Sequence, residues 1–134
     1  MENKGVERRE CQRFKIEGAT VSYKKPKLLS TPKNYTEENC PVTEISRGGI
    51  RFLTEKPLKI NQKVMLTVHL PGNRDPLDLQ GRVIWKSVSP NQSYKYQLGI
   101  QFEPYGAKKN QNSPLILEKI KELEKKYQSQ KSSG

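Results

Sequence analysis

The sequence predicts a mainly β protein: six antiparallel strands, closed as a barrel or stacked as a sandwich, followed by a C-terminal amphipathic α-helix. Three observations predict it. Apolar residues recur at a spacing of two through the middle of the chain, turn residues punctuate those runs at regular intervals, and the period lengthens to three and four after residue 113.

Residues 1–12 are polar and charged and are expected to form a flexible basic N-terminal arm. From Arg13, the apolar positions Phe14, Ile16, Ala19, Val21 and Tyr23 give a first strand, interrupted at Gly18. The stretch KKPKLLSTPKNYTEEN holds two prolines and many polar residues and reads as a long loop or an irregular continuation of that strand. CPVTEI and GIRFLT then flank an SRG turn, with Ile50 and Phe52 alternating against Arg51. VMLTVHL sets Val64, Leu66, Val68 and Leu70 on one face, and PGNRDP ends it. LDLQGRVIW sets Leu77, Leu79, Gly81, Val83 and Trp85 on one side. YKYQLGIQF does the same for Tyr94, Tyr96, Leu98, Ile100 and Phe102. Ser113 and Pro114 have the chemistry of an N-cap and a first helical position. Ile116, Ile120, Leu123 and Tyr127 follow as one stripe, so a helix is expected over 113–128, packed on its own barrel. The folded body is thus expected over 13–128, with a disordered tail at 129–134. No internal repeat is found.

Composition narrows the function classes. The 134 residues make one domain with a modest core, since only 32% are hydrophobic. The formal net charge of +11 favours a polyanionic partner, although a lysine-rich surface also serves solubility. Basic and acidic side chains number eight and four in residues 1–30, ten and seven in 31–103, and seven and three in 104–134, so positive charge is densest at the ends. MENKGVERRE has no apolar core of a secretory signal, and no run approaches the roughly 20 apolar residues that cross a bilayer. A cytoplasmic protein is expected, with Cys11 and Cys40 as reduced thiols rather than a disulfide. His69 stands alone in an apolar run and lacks the companions of a metal site. No Ser–His–Asp or paired-carboxylate constellation suggests catalysis. No enzyme activity and no cofactor are expected.

Two segments carry binding chemistry. TEISRGGIRF joins two strands across Ser46–Gly49. As a plain turn it uses Gly48 or Gly49 for a positive φ. As an anion site it offers a serine hydroxyl and backbone N–H groups, with no Cβ to block close approach. Upstream, Arg9 and Arg13 are four apart, which places both guanidiniums on one side of a helical or an extended segment, with Arg8 adjacent. Arginine's planar fork can bind a phosphate or the O6/N7 edge of guanine bidentately.

In this order and spacing the residues resemble the PilZ domain family, whose signature is R-x-x-x-R near the N-terminus and [D/N]-x-S-x-x-G beyond the first strand. The first part matches at Arg9 and Arg13 within ERRECQRF, the second at Ser46 and Gly49 within EISRGG. The likeness continues through GIRF, the hairpin GRVIW…YQLGIQF and the closing helix, covering most of residues 8–127. It implies a six-stranded PilZ-like β-barrel that binds the bacterial second messenger cyclic di-GMP, often as an intercalated pair. In the family the arginines grip phosphates and guanine edges, the Asp or Asn binds a guanine, and the Ser–Gly turn meets phosphate. Carried over, Arg9 and Arg13 are the clamp, Arg8 a further contact, Ser46 a hydroxyl donor, and Gly48 and Gly49 the permissive backbone.

One position departs from that pattern. Glu44 stands where the family has Asp or Asn, keeping the carboxylate but moving it by one methylene. Loss of a good bidentate base contact would cost about 1–3 kcal/mol, roughly 5- to 150-fold in affinity. The expected function is therefore a cyclic di-GMP receptor whose arginine arm orders on ligand binding and which signals, in motility, pili or biofilm, through an unidentified downstream protein. The chain is expected to be a monomer or homodimer, with nucleic acid not the expected partner. Two alternatives remain: a PilZ-like interaction module without nucleotide, supported by Glu44, and a basic barrel for single-stranded nucleic acid, suggested by Tyr94, Lys95 and Tyr96.

Overall fold

The period-two segments close on one another in the computed structural model, which describes residues 13–26, 35–72 and 74–133, with side chains as far as residue 127. The strands are β1 (Thr20–Lys24), β2 (Glu37–Ile45), β3 (Gly49–Thr54), β4 (Lys63–His69), β5 (Leu77–Val88) and β6 (Tyr96–Phe102). They form a closed antiparallel barrel in the order β1-β2-β3-β6-β5-β4, so the barrel and not the sandwich is realised. Closure leaves no unpaired sheet edge.

Alternation explains what fills the barrel. Val21, Tyr23, Ile45, Ile50, Phe52, Val64, Leu66, Val68, Leu77, Leu79, Val83, Leu98 and Ile100 all turn inward and are buried. Phe14 and Ile16 join them ahead of β1. Between them and the strand the chain turns at Gly18, whose φ of +86° is a left-handed conformation that favours glycine. The Tyr23 hydroxyl is made tolerable inside by donating to Glu37 Oε1 at 2.8 Å, with Thr54 Oγ1 3.2 Å away. His69 Nε2 lies 3.3 Å from Ser22 Oγ.

Three inward assignments are corrected. Alternation alone puts Trp85 beside Val83, but the β5–β6 register slips between them: Val83 pairs with Ile100, and Trp85 with Gly99. The bulge inserts a residue and rotates the indole to the outer face. Tyr94 precedes β6 and Tyr96 opens it; both are half-buried at the barrel's end rather than in its core.

The helix, α1, runs Pro114–Ser133. It passes the expected boundary at 128, so the tail read as disordered is helical up to Ser133. Ser113 Oγ accepts the Leu115 N–H at 3.2 Å, the N-cap bond its position predicts. Ile120 and Leu123 are buried against the barrel core, flanked by Ile116 and Tyr127, so the stripe packs on its own barrel. Buried Asn112 fixes the approach to α1. Its side chain accepts from Gln80 N–H at 2.7 Å and donates to the carbonyls of Gln80 and Glu103 at 3.1 and 2.9 Å. Among the described residues no helix is long and apolar enough to cross a membrane, and no cluster of His, Cys, Asp and Glu could hold a metal ion.

Candidate functional site

Strand pairing builds the site. Phe14 and Ile45 exchange backbone hydrogen bonds of 2.8 Å in both directions, and both side chains point inward. Their neighbours therefore point out: Arg13 on the leading segment, and Glu44 and Ser46 on β2 and its turn. The row then crosses the barrel wall. Glu44 pairs with Arg51, Arg51 with Gly99, and Gly99 with Trp85, so a carboxylate, a guanidinium, a gap and an indole lie side by side on four strands. Together with the Ser46–Gly49 turn they line a cleft of ≈ 200 Å³.

The charges in this cleft are unevenly satisfied. Glu44 Oε1 lies 3.3 Å from Arg13 Nη1 and 3.9 Å from Arg51 Nε. Neither contact has hydrogen-bond geometry, and among the described residues this buried oxygen has no donor. An unsatisfied buried acceptor costs about 1–3 kcal/mol, which a donor supplied by a ligand would recover. Arg13, 61% exposed in its side chain, gains little from the pair and can be released cheaply. Arg51 is held differently, with its guanidinium carbon over the Trp85 ring at 4.4 Å from the centroid.

The turn is stiff. Ser46 N–H donates to the Gly49 carbonyl at 2.8 Å, Gly48 N–H to Ser46 Oγ at 3.2 Å, and Phe102 N–H to the Gly48 carbonyl at 2.8 Å. Neither Gly48 nor Gly49 has a positive φ, so the plain-turn account of the glycine pair is corrected. Gly49 is needed for space: a Cβ there would overlap the Ile100 carbonyl oxygen on β6. At Gly48 a Cβ would meet nothing. The Ser46 and Gly48 amides are engaged within the turn. The Ser46 hydroxyl proton and the guanidiniums remain as donors beside the turn for an anion.

Of the residues singled out from sequence, Arg13, Glu44, Ser46, Gly48 and Gly49 share this one cleft. Arg8 and Arg9 lie outside the described residues. Arg51 and Trp85 were missed. The alternation of GIRF already put Arg51 outside, and that was the usable signal; the bulge that exposes Trp85 leaves none in the residue pattern.

The chain matches the family model described as PilZ domain over residues 7–112, a span that includes all seven residues singled out. No curated protein matches it.

Proposed function

The chain belongs to the PilZ domain family, and from that premise we propose that it is a cyclic di-GMP receptor whose ligand lies in the cleft beside the Ser46–Gly49 turn. The observation that carries the reading is Glu44 Oε1, a buried acceptor without a donor among the described residues, standing between two arginines. Guanine offers adjacent N1–H and N2–H donors, and the phosphates offer acceptors to the guanidiniums that Glu44 would release. The Glu44 carboxylate lies within 4 Å of both guanidiniums, which supports placing a guanine edge there.

Volume sets the role of the leading segment. At ≈ 200 Å³ the cleft is smaller than the roughly 300–1,000 Å³ that encloses a ligand of this size. Most of the dinucleotide must then be covered by something other than the barrel wall, and Arg9 and Arg8 stand four and five residues before Arg13 in the sequence. Closure of that arm over the ligand changes the surface offered to a downstream protein, which is the proposed output. Family members act as binding or adaptor modules rather than enzymes, in keeping with this route.

Calorimetric titration with cyclic di-GMP, and separately with a short single-stranded oligonucleotide, tests the proposal. Saturable binding of the dinucleotide alone, lost in Arg13→Ala, is expected. No binding of the dinucleotide by the intact chain would overturn it in favour of a nucleotide-independent module. Full affinity in Arg13→Ala would remove the clamp.

A further inference from the structure

The stripe on α1 contains one residue that packing alone does not call for. Glu124 follows Ile120 by four and Leu123 by one, so it sits on the core-facing side, and it is 8% exposed. A carboxylate there costs desolvation that an apolar side chain would not. Its charge is met by Arg47, the residue between Ser46 and Gly48: Arg47 Nε donates to Glu124 Oε1 at 2.9 Å, and Nη2 lies 3.5 Å from Oε2. Tyr105, in the segment before α1, donates its hydroxyl to the Arg47 carbonyl at 2.7 Å. The cleft is lined by Ser46 and Gly48 but not by Arg47. The turn thus faces the ligand cleft with one side and is bolted to α1 by the other.

We propose that Glu124 is a positioning residue for the ligand turn, acting through Arg47, so that ligand occupancy of the cleft and docking of α1 on the barrel reinforce each other. The inference rests on the cyclic di-GMP reading above. Its physical basis is that the Ser46 hydroxyl and the Gly49 approach must be held to a fraction of an ångström, and a directional charge pair with its carboxylate buried gives the turn one defined position against α1. Reciprocity follows: whatever α1 contributes to ligand affinity, the ligand returns to α1 docking.

The sign of one substitution separates positioning from simple electrostatics. Glu124→Gln makes the protein more positive, so long-range attraction to a dianionic ligand would tighten binding. Loss of positioning would weaken it, by at least roughly fivefold if the coupling is of ordinary size. The test is calorimetry with cyclic di-GMP on the full chain, Glu124→Gln, Arg47→Gln and the double variant, each shown to be folded by a thermal melt. Expected are losses in both single variants, larger in Arg47→Gln by its lost positive charge, and no loss in the double beyond that of Arg47→Gln. Should Glu124→Gln fail to fold, unchanged affinity in Arg47→Gln still overturns the inference. Equal or tighter binding by a folded Glu124→Gln overturns it while leaving the receptor reading intact, whereas an intact chain that does not bind ends both.

Discussion

Arg51 holds its guanidinium carbon 4.4 Å from the centre of the Trp85 ring, across the space that Gly99 leaves on the strand between them. A Cβ on residue 99 would come within 3.2 Å of the Trp85 Cβ, so any larger residue there would crowd the indole. A cation–π contact between half-exposed groups is worth about 0.5–1 kcal/mol, too little to be the reason for the arrangement. What it does is keep a cation and a π-face together beside the unsatisfied Glu44 oxygen. Those are the three groups a guanine base can use.

Trp85 should therefore carry binding energy. Base–aromatic stacking is worth about 1–3 kcal/mol per base, so Trp85→Ala should weaken cyclic di-GMP binding roughly 5- to 150-fold. Trp85→Phe should keep most of the affinity. The chain has one tryptophan, so its fluorescence reports on the cleft alone. A titration that leaves the emission unchanged while calorimetry shows binding would place the ligand elsewhere.

Gly48 and Gly49 should behave differently although they are neighbours in one turn. A Cβ at 49 would overlap the Ile100 carbonyl, which is backbone and moves only with the β3–β6 pairing. Gly49→Ala should destabilise by about 1–3 kcal/mol, as overpacking does. Gly48→Ala meets open space at an ordinary φ and should stay within about 0.5 kcal/mol of the parent. Thermal melts of the two variants check this, and a comparable loss in both would contradict it.

The same local geometry explains how far the sequence could be read. Period-two alternation is set by backbone parity, so the inward set on β4, that on β6 from Leu98 onward and the outward Arg51 were visible in the residues. Parity fails where the ladder slips: the bulge after Val83 is a property of two paired strands, and it reverses Trp85. The R-x-x-x-R and S-x-x-G elements revealed Arg13 and the turn as candidates for one site, but their meeting depends on the Phe14–Ile45 bridge, which joins segments far apart in sequence. The reason for Gly49 was hidden for a similar cause, since the obstructing carbonyl belongs to β6. The spacing of Glu124 from Ile120 already put it towards the core side of the helix, but only the packing of α1 sets it against Arg47.

Asn112 should be as important to the helix junction as any apolar residue. Its side chain accepts the Gln80 N–H and donates to two carbonyls, on β5 and just beyond β6. Asn112→Ala removes all three bonds and leaves buried backbone groups unsatisfied, at about 1–3 kcal/mol for each group that water cannot reach. Asn112→Asp keeps the acceptor but turns the donating edge into an oxygen facing two carbonyls, so it should not rescue. Urea denaturation of both variants checks this; parent-like stability in Asn112→Asp would show that the two carbonyl contacts contribute nothing.

Stability should fall on the alkaline side of neutrality, and Cys40 should be the first cause. Burial, reinforced by the nearby negative charge of Glu37, pushes its thiol pKa well above the ordinary value. Burial raises Tyr23 in the same direction. In each case the folded state holds the proton more tightly than the unfolded chain does. The contribution is therefore complete below the unfolded pKa and is lost as pH rises beyond it. The unfolded thiol titrates near about 8.5 and the phenol near about 10, which leaves a window between them where Cys40 acts without Tyr23. Across that window the thiol alone should remove about 1.5 kcal/mol of unfolding free energy. Cys40→Ala should be flatter over the same range even if it is less stable at pH 7. Urea melts at half-unit steps from pH 7 to pH 10 measure both slopes, and parallel curves for the parent and Cys40→Ala would rule out the buried thiol as the cause.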